Sequence, residues 1–379
     1  MFICCVALVL IYKAFLFLEK ILVMKNLFVV LIILSFLSCE QQKKEEILSS
    51  RELSRIWVKD ILKDSTLSIR TFEEIDGNIY YAAHEGKAGV LLNDGSRVTD
   101  LYKYDSILPS FRASAFNGKN IFYLSIESPA LIYKLDYHVN NKVYLNHSLV
   151  YKETHEKAFY DSMKFWNEQE GIAMGDPTDN CISIIITRDG GNTWTKISCE
   201  DLPNVTEGEA AFAASNTNIS IVGNHTWIAT GGKASRILYS SDKGKSWEIF
   251  ETPIIQGTQT TGIYSIDFYD EKSGFAIGGD YTKPNDTLNN KIRTKDGGKT
   301  WQVVANGMGP GYRSCVQYIP NSDGKELVAV GFKGIDYSHD GGDSWKHVSD
   351  EGFYTIRFLN DSVAYAAGKG RISKLIFRE

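Results

Sequence analysis

The stretch TRDGGNTW at residues 187–194 recurs as SSDKGKSW (240–247), TKDGGKTW (294–301) and SHDGGDSW (338–345). Each copy reads Ser/Thr-x-Asp-x-Gly-x-Ser/Thr-Trp. The steps from Asp189 to Asp242 to Asp296 to Asp340 are 53, 54 and 44 residues. Self-similarity at such a period signals a repeat architecture in which every unit is a small antiparallel sheet. Strand-like runs flank each copy, for the first at 182–186 and 194–197. The Asp and the Ser/Thr can hydrogen-bond the backbone of a tight turn, and Gly190, Gly244, Gly297 and Gly341 supply positive φ. The closing residues Trp194, Trp247, Trp301 and Trp345 are apolar plugs expected to pack under their own hairpins. The four aspartates are read as turn formers and not as catalytic groups.

Two more strands recur upstream of each turn. One is short and runs from polar to aromatic, as in YDSMKF, IYSIDF, YRSCVQY and FYTIRF. The other is rich in small residues and ends in glycine, as in GIAMGD, WIATGG, GFAIGGD, LVAVGF and AYAAGKG. Small residues suit strands crowded near the axis of a ring of sheets. Weaker versions lie at 69–92 and 111–135, which brings the count to seven units starting near 69, 111, 159, 207, 262, 311 and 352. The last unit lacks an outer strand, and RIWVKDIL (55–62) resembles the strand that follows the turns, with Trp57 in the tryptophan position. The expectation is an all-β, seven-bladed β-propeller of four-stranded antiparallel blades over 53–379, its last blade closed by the N-terminal strand.

A net charge of −5 gives no electrostatic basis for binding nucleic acid or anionic headgroups. Aromatic residues at 12%, with 32 Gly and 8 Pro, fit a sheet-rich chain. The N-terminus reads as a targeting segment. From Met24, the better start residue, one lysine precedes an apolar run at 27–37 and then Ser38-Cys39. Residues 1–39 are thus a leader and signal peptide, and the charged stretch 40–52 is a tether. This address places a monomeric propeller in the cell envelope, periplasmic or surface-exposed. Cys181 and Cys199 flank the first turn nearly symmetrically, so a disulfide between them and two unpaired thiols both remain open. Cys315 reads as a small buried hydrophobe. No Cys or His spacing suggests a metal, and no nucleotide, flavin or haem pattern suggests a cofactor.

The first strands, aligned on their anchors, give one polar column: Arg70, Arg112, Asp161, Glu209, Tyr264, Arg313 and Tyr354. An aromatic follows four residues on in four of them, at Phe116, Phe165, Phe268 and Phe358. Innermost strands line the central channel of a propeller, so the seven side chains are expected to ring one mouth of it. Three arginines there suit a carboxylate or another anion. Asp176 and Asp280, each just after a small-residue strand, read as turn caps.

The four turns resemble the Asp-box (BNR) hairpin. Ser38-Cys39 after the apolar run resembles a bacterial lipoprotein signal, which implies lipidation at Cys39. Together with AFYDSMKFWNEQEGIAMGDP, GEAAFAAS, GIYSIDF, FAIGGDY and GYRS, the turns make the chain from about 54 to 379 similar to the propeller family of the photosystem II assembly and stability factor. That resemblance implies a non-enzymatic scaffold that binds a protein or peptide, without naming a photosystem partner. Sialidases share Asp-boxes and an arginine triad, which implies a second reading, a glycan-directed hydrolase or carbohydrate binder. Their Arg-Ile-Pro signature is absent, since Arg70 is followed by Thr71-Phe72. An oxidoreductase holding a cofactor in the channel is a third. A hydrolase needs an acid and a second carboxylate or activated tyrosine across one concave site.

Overall fold

The computed structural model describes Leu53, residues 55–136 and residues 146–378. The expected leader with Cys39, and the tether 40–52, lie outside the described residues. Regular structure among the described residues is strand, with one short 3₁₀ turn at Cys199–Asp201.

The strands form six antiparallel sheets. Four have four strands each, one starting with Ser110–Phe116, one with Tyr160–Phe165, one with Ile219–Val222 and one with Cys315–Tyr318. A fifth joins Thr261–Phe268 and the three strands that follow it to the short pair Glu209–Ala210 and Gly231–Gly232. The sixth runs in the order Thr355–Phe358, Val363–Arg378, Arg55–Ile75, Asn78–Ala83, Lys87–Leu91, Arg97–Leu101. The chain is therefore a β-propeller of six blades, and the expected seven is corrected. Arg55–Ile75 is one 21-residue strand. Its first half pairs with Val363–Arg378 (Arg55↔Arg378 to Leu62↔Ile372), and its second half pairs with Asn78–Ala83. No Gly or Pro interrupts it, and its pairings only shift register, at Asp60/Leu62, Lys63/Ser68 and Ile69/Thr71. What reads in sequence as a first and a last blade is thus a single sheet.

This sheet joins the two ends of the described chain, and Asp60 clasps it. Asp60 Oδ1 accepts from Arg371 Nε (2.9 Å), Arg371 Nη2 (2.6 Å) and Ser373 Oγ (2.6 Å). Trp57 is 61% exposed on its outer edge, so it does not act as a plug as the other tryptophans do.

All four repeated motifs fold into the same turn. In the first, Asp189 Oδ1 accepts from Thr193 N (2.9 Å) and Thr187 Oγ1 (2.9 Å), and Oδ2 accepts from Thr193 Oγ1 (2.7 Å). Asp242, Asp296 and Asp340 repeat this set. Burial pushes these carboxyls upward, but the hydrogen bonds outweigh it and hold all four below the usual carboxylate range, Asp242 at about 2. Two consecutive positions in each turn take positive φ. The first accepts Lys243 (φ 60) where the other copies have Gly190, Gly297 and Gly341. The second is Gly191, Gly244, Gly298 or Gly342, and a Cβ there would lie 2.3 Å from Phe122, 2.9 Å from Ile186, 2.9 Å from Trp227 or 2.1 Å from Phe275. Glycine is required at that second position because each turn sits on the side chains beneath it. The tryptophans join aromatic clusters: Trp194 meets Phe165 of its own sheet edge-on at 5.7 Å and Phe122 of the neighbouring sheet at 6.2 Å, and Trp301 meets Phe268 of its own sheet at 6.0 Å.

Cys181 and Cys199 are bonded to each other. Cys315 is a buried free thiol.

Candidate functional site

The central channel is plugged. Residues 211–217, AFAASNT, follow Glu209–Ala210 and lie among the innermost strands. Alanines and a serine suit that space, and Asn216 (φ 59) turns the chain there. Asn216 Oδ1 accepts from Met163 N (2.9 Å) and Ser162 Oγ (3.1 Å), and Nδ2 donates to Ser114 O (2.7 Å). Ser215 Oγ donates to Ser314 O (2.7 Å), and Thr217 Oγ1 donates to Ser265 Oγ (2.8 Å). Thr355 Oγ1 donates to Ser215 O (3.0 Å). One segment therefore ties most of the blades together at the axis through buried, paired polar groups.

The plug forms the floor of a cup of about 500 Å³. Arg70 and Arg112 line it, and each is held by the plug: Arg70 Nη1 donates to Ala214 O (3.1 Å) and Arg112 Nη1 to Ala213 O (2.9 Å). The Arg70 guanidinium also lies 4.0 Å from the Tyr354 ring centroid, within cation–π range. Nη2 of neither arginine has a protein acceptor. Burial lowers both guanidinium pKa values, and the like charge of Arg70 helps bring Arg112 to about 10. Both stay charged at neutral pH, side by side and short of counter-charge. An incoming anion would relieve this strain.

Aromatic side chains form the wall. Phe212, from the plug, stacks flat on Tyr264 (3.8 Å, 2°), and Tyr312 meets Tyr264 edge-on at 4.7 Å. Gly231 makes room for the Phe212 ring, since a Cβ there would lie 2.3 Å from it. Tyr281 and Phe332 continue the wall to the rim, 48% and 44% exposed. Asp176 is the acidic residue of the lining. It follows Gly171–Gly175, whose last glycine would put a Cβ 2.1 Å from Phe159 O, and its Oδ1 accepts from Ala211 N (2.7 Å). Burial raises its carboxyl to about 6.

Of the polar column, Arg70, Arg112, Tyr264 and Tyr354 line the cup. The other three do not. Asp161 lies on an innermost strand but is fully buried, with neither carboxylate oxygen hydrogen-bonded. Glu209 lies on the two-residue edge strand Glu209–Ala210. It pairs with Gly232, and its carboxylate is held by Arg236 Nε (3.2 Å), Arg236 Nη2 (2.5 Å) and Thr230 Oγ1 (2.6 Å). Arg313 is spent on Asp336 Oδ2 (2.6 Å) and Tyr312 O (2.8 Å). Asp280 caps a turn through Thr282. The column misses Phe212, Tyr281, Tyr312 and Phe332. Phe212 lies in GEAAFAAS, a stretch singled out in sequence without a role. The others follow small-residue strands or turns that carry no polar signal. No group of three or more His, Cys, Asp or Glu among the described residues could hold a metal ion.

No family model matches the chain, and no curated protein matches it in sequence. Solved structures do match in fold. "YCF48 bound to D1 peptide" aligns with a TM-score of 0.60 at 12% identity, over 87% of this chain and 97% of that one. "YCF48 from Cyanidioschyzon merolae" aligns at 0.59 and 13%, over 84% and 98%. "Streptogramin B lyase structure" aligns at 0.62 and 14%, over 86% and 100%. At these identities the likeness extends to the propeller fold, and the chain is similar in fold to peptide-bound and lyase propellers alike.

Proposed function

We propose that this chain is a non-enzymatic scaffold of the cell envelope, lipid-anchored through Cys39. It holds a peptide segment of a protein partner in the cup by docking the segment's carboxylate on Arg70 and Arg112. One observation carries this reading: two adjacent guanidiniums, fixed by plug carbonyls, line an aromatic-walled cup with Nη2 of each unspent. Fork-shaped donors of this kind suit a carboxylate, and the flat rings suit the apolar parts of a peptide. A propeller of similar fold bound to a peptide supplies a precedent. The four turns, with the hydrogen bonds of Asp189, Asp242, Asp296 and Asp340, support kinship with Asp-box propellers and with the assembly-factor family.

The hydrolase reading loses the acids expected of it: Glu209 and Arg313 are consumed in ion pairs and Asp161 is sealed. Asp176 is the acid in the cup, and burial raises the Tyr264 and Tyr312 hydroxyls instead of activating them.

The test is an array of peptides taken from the termini and loops of envelope proteins. Each is presented as free acid and as amide, and probed with wild-type protein and a folded Arg70→Gln/Arg112→Gln variant. The reading expects free-acid or acidic peptides to bind wild type and to lose about 30-fold or more with the variant. Equal binding by both proteins, or no binding peptide at all, contradicts it.

A further inference from the structure

Asp176 is an unexplained charge. It lines the same cup as Arg70 and Arg112, yet no ion pair reaches it among the described residues, and its one side-chain hydrogen bond is from Ala211 N to Oδ1. Its Oδ2 is left to solvent or ligand. Asp161 adds a second carboxyl beside it, fully buried and without any hydrogen-bond partner. Burial, together with the charge of Asp176, pushes the Asp161 carboxyl well above the usual carboxylate range. The opposing charge sensed by Asp161 is that of Arg112.

A ligand that fills the cup strips water from Asp176. A carboxylate covered by apolar or acidic ligand atoms loses its solvation with nothing in return, whereas one that meets an ammonium or guanidinium keeps a partner. Sites that hold a buried polar group discriminate most strongly against ligands that leave it unpaired.

We propose that Asp176 is a second, acidic pole of the cup, which selects peptides carrying a basic side chain close to the carboxylate docked on Arg70 and Arg112. The proposal rests on the peptide-binding reading above and adds the identity of the second group. The occupant is thus a dipolar segment, a lysine or arginine within a few residues of an acidic residue or a free C-terminus.

The probe is the tightest free-acid peptide of the array. It is remade with lysine, norleucine or glutamate at each of its last four positions, and binding is measured by fluorescence anisotropy. Wild type should prefer lysine over norleucine about 10-fold or more at one of these positions, and reject glutamate there. Asp176→Asn keeps the acceptor for Ala211 N, so it should abolish the preference from both sides, binding the lysine peptide more weakly and the norleucine peptide more tightly than wild type does. Should that variant fold poorly, wild type alone decides: the lysine preference should shrink between pH 7.5 and pH 5, as the carboxyl titrates near 6. No lysine preference at any position, or a preference that Asp176→Asn retains, overturns the proposal and leaves the arginine reading standing. Loss of the free-acid dependence instead sinks the arginine reading itself.

Discussion

At the residue scale, the same side chain serves opposite ends according to what surrounds it. The turn aspartates are held ionised by backbone and hydroxyl donors, so they contribute stability above pH 4 that is lost as the pH falls toward 2. Asp242→Ala removes acceptors for Ser240, Lys245 and Ser246 and should cost about 2 kcal/mol in urea unfolding, with ligand binding unchanged. Asp176 has the reverse sign. Its carboxyl titrates near 6, so it stabilises the fold below pH 4 and that contribution is lost as the pH rises through 6. Asp176→Asn should therefore gain about 1–3 kcal/mol over wild type at pH 7.5 and nothing at pH 4, read from unfolding at both values. A uniform loss at both would show that the carboxyl is stabilising as an anion. The turn aspartates were legible from the repeated pattern alone. The fate of Arg313 was not, because its partner Asp336 lies 23 residues further on, on another strand, with no spacing to announce it.

At the element scale, the segment 211–217 makes this propeller unlike a ring around a wet channel. Its residues are too small and too polar for a strand pattern, so the sequence reads there as a degenerate blade start with Glu209 in the column. In the structure the backbone of this segment supplies the two carbonyls that aim the arginines. Asn216→Ala removes four hydrogen-bond partners of a buried side chain and leaves a β-carbon residue at positive φ. The expected cost is about 3–4 kcal/mol, measured by denaturant midpoint. Gly231→Ala tests the same element from the other side. By driving Phe212 off Tyr264 it should weaken peptide binding about 10-fold with a smaller effect on stability. Unchanged binding would mean that the aromatic wall is not part of the ligand site.

At the scale of the whole molecule, the chain closes on itself through Arg55–Ile75 and Val363–Arg378. The expectation that 55–62 completes the end of the chain came from the likeness of RIWVKDIL to the post-turn strands. The blade count failed because strand ends are marked in sequence by turn residues, and Lys63-Asp64-Ser65-Thr66 supplies a register shift without a break. Truncation of 53–62 removes the partner of the C-terminal half of Val363–Arg378 and should abolish cooperative unfolding. Asp60→Ala, which unfastens Arg371 and Ser373, should lower stability by about 2 kcal/mol and leave a single transition.

Docking of a ligand carboxylate on Arg70 and Arg112 is measured by a thermodynamic cycle followed by calorimetry. The tightest free-acid peptide and its charge-neutral counterpart, with amides in place of its carboxylates, are each titrated into wild type and into Arg70→Gln/Arg112→Gln. The account predicts that neutralising the peptide and neutralising the arginines each weaken binding strongly, and that both together weaken it little more than either alone. Coupling would then be about 2 kcal/mol or more. Two losses that simply add would place the carboxylate elsewhere on the protein and contradict the account.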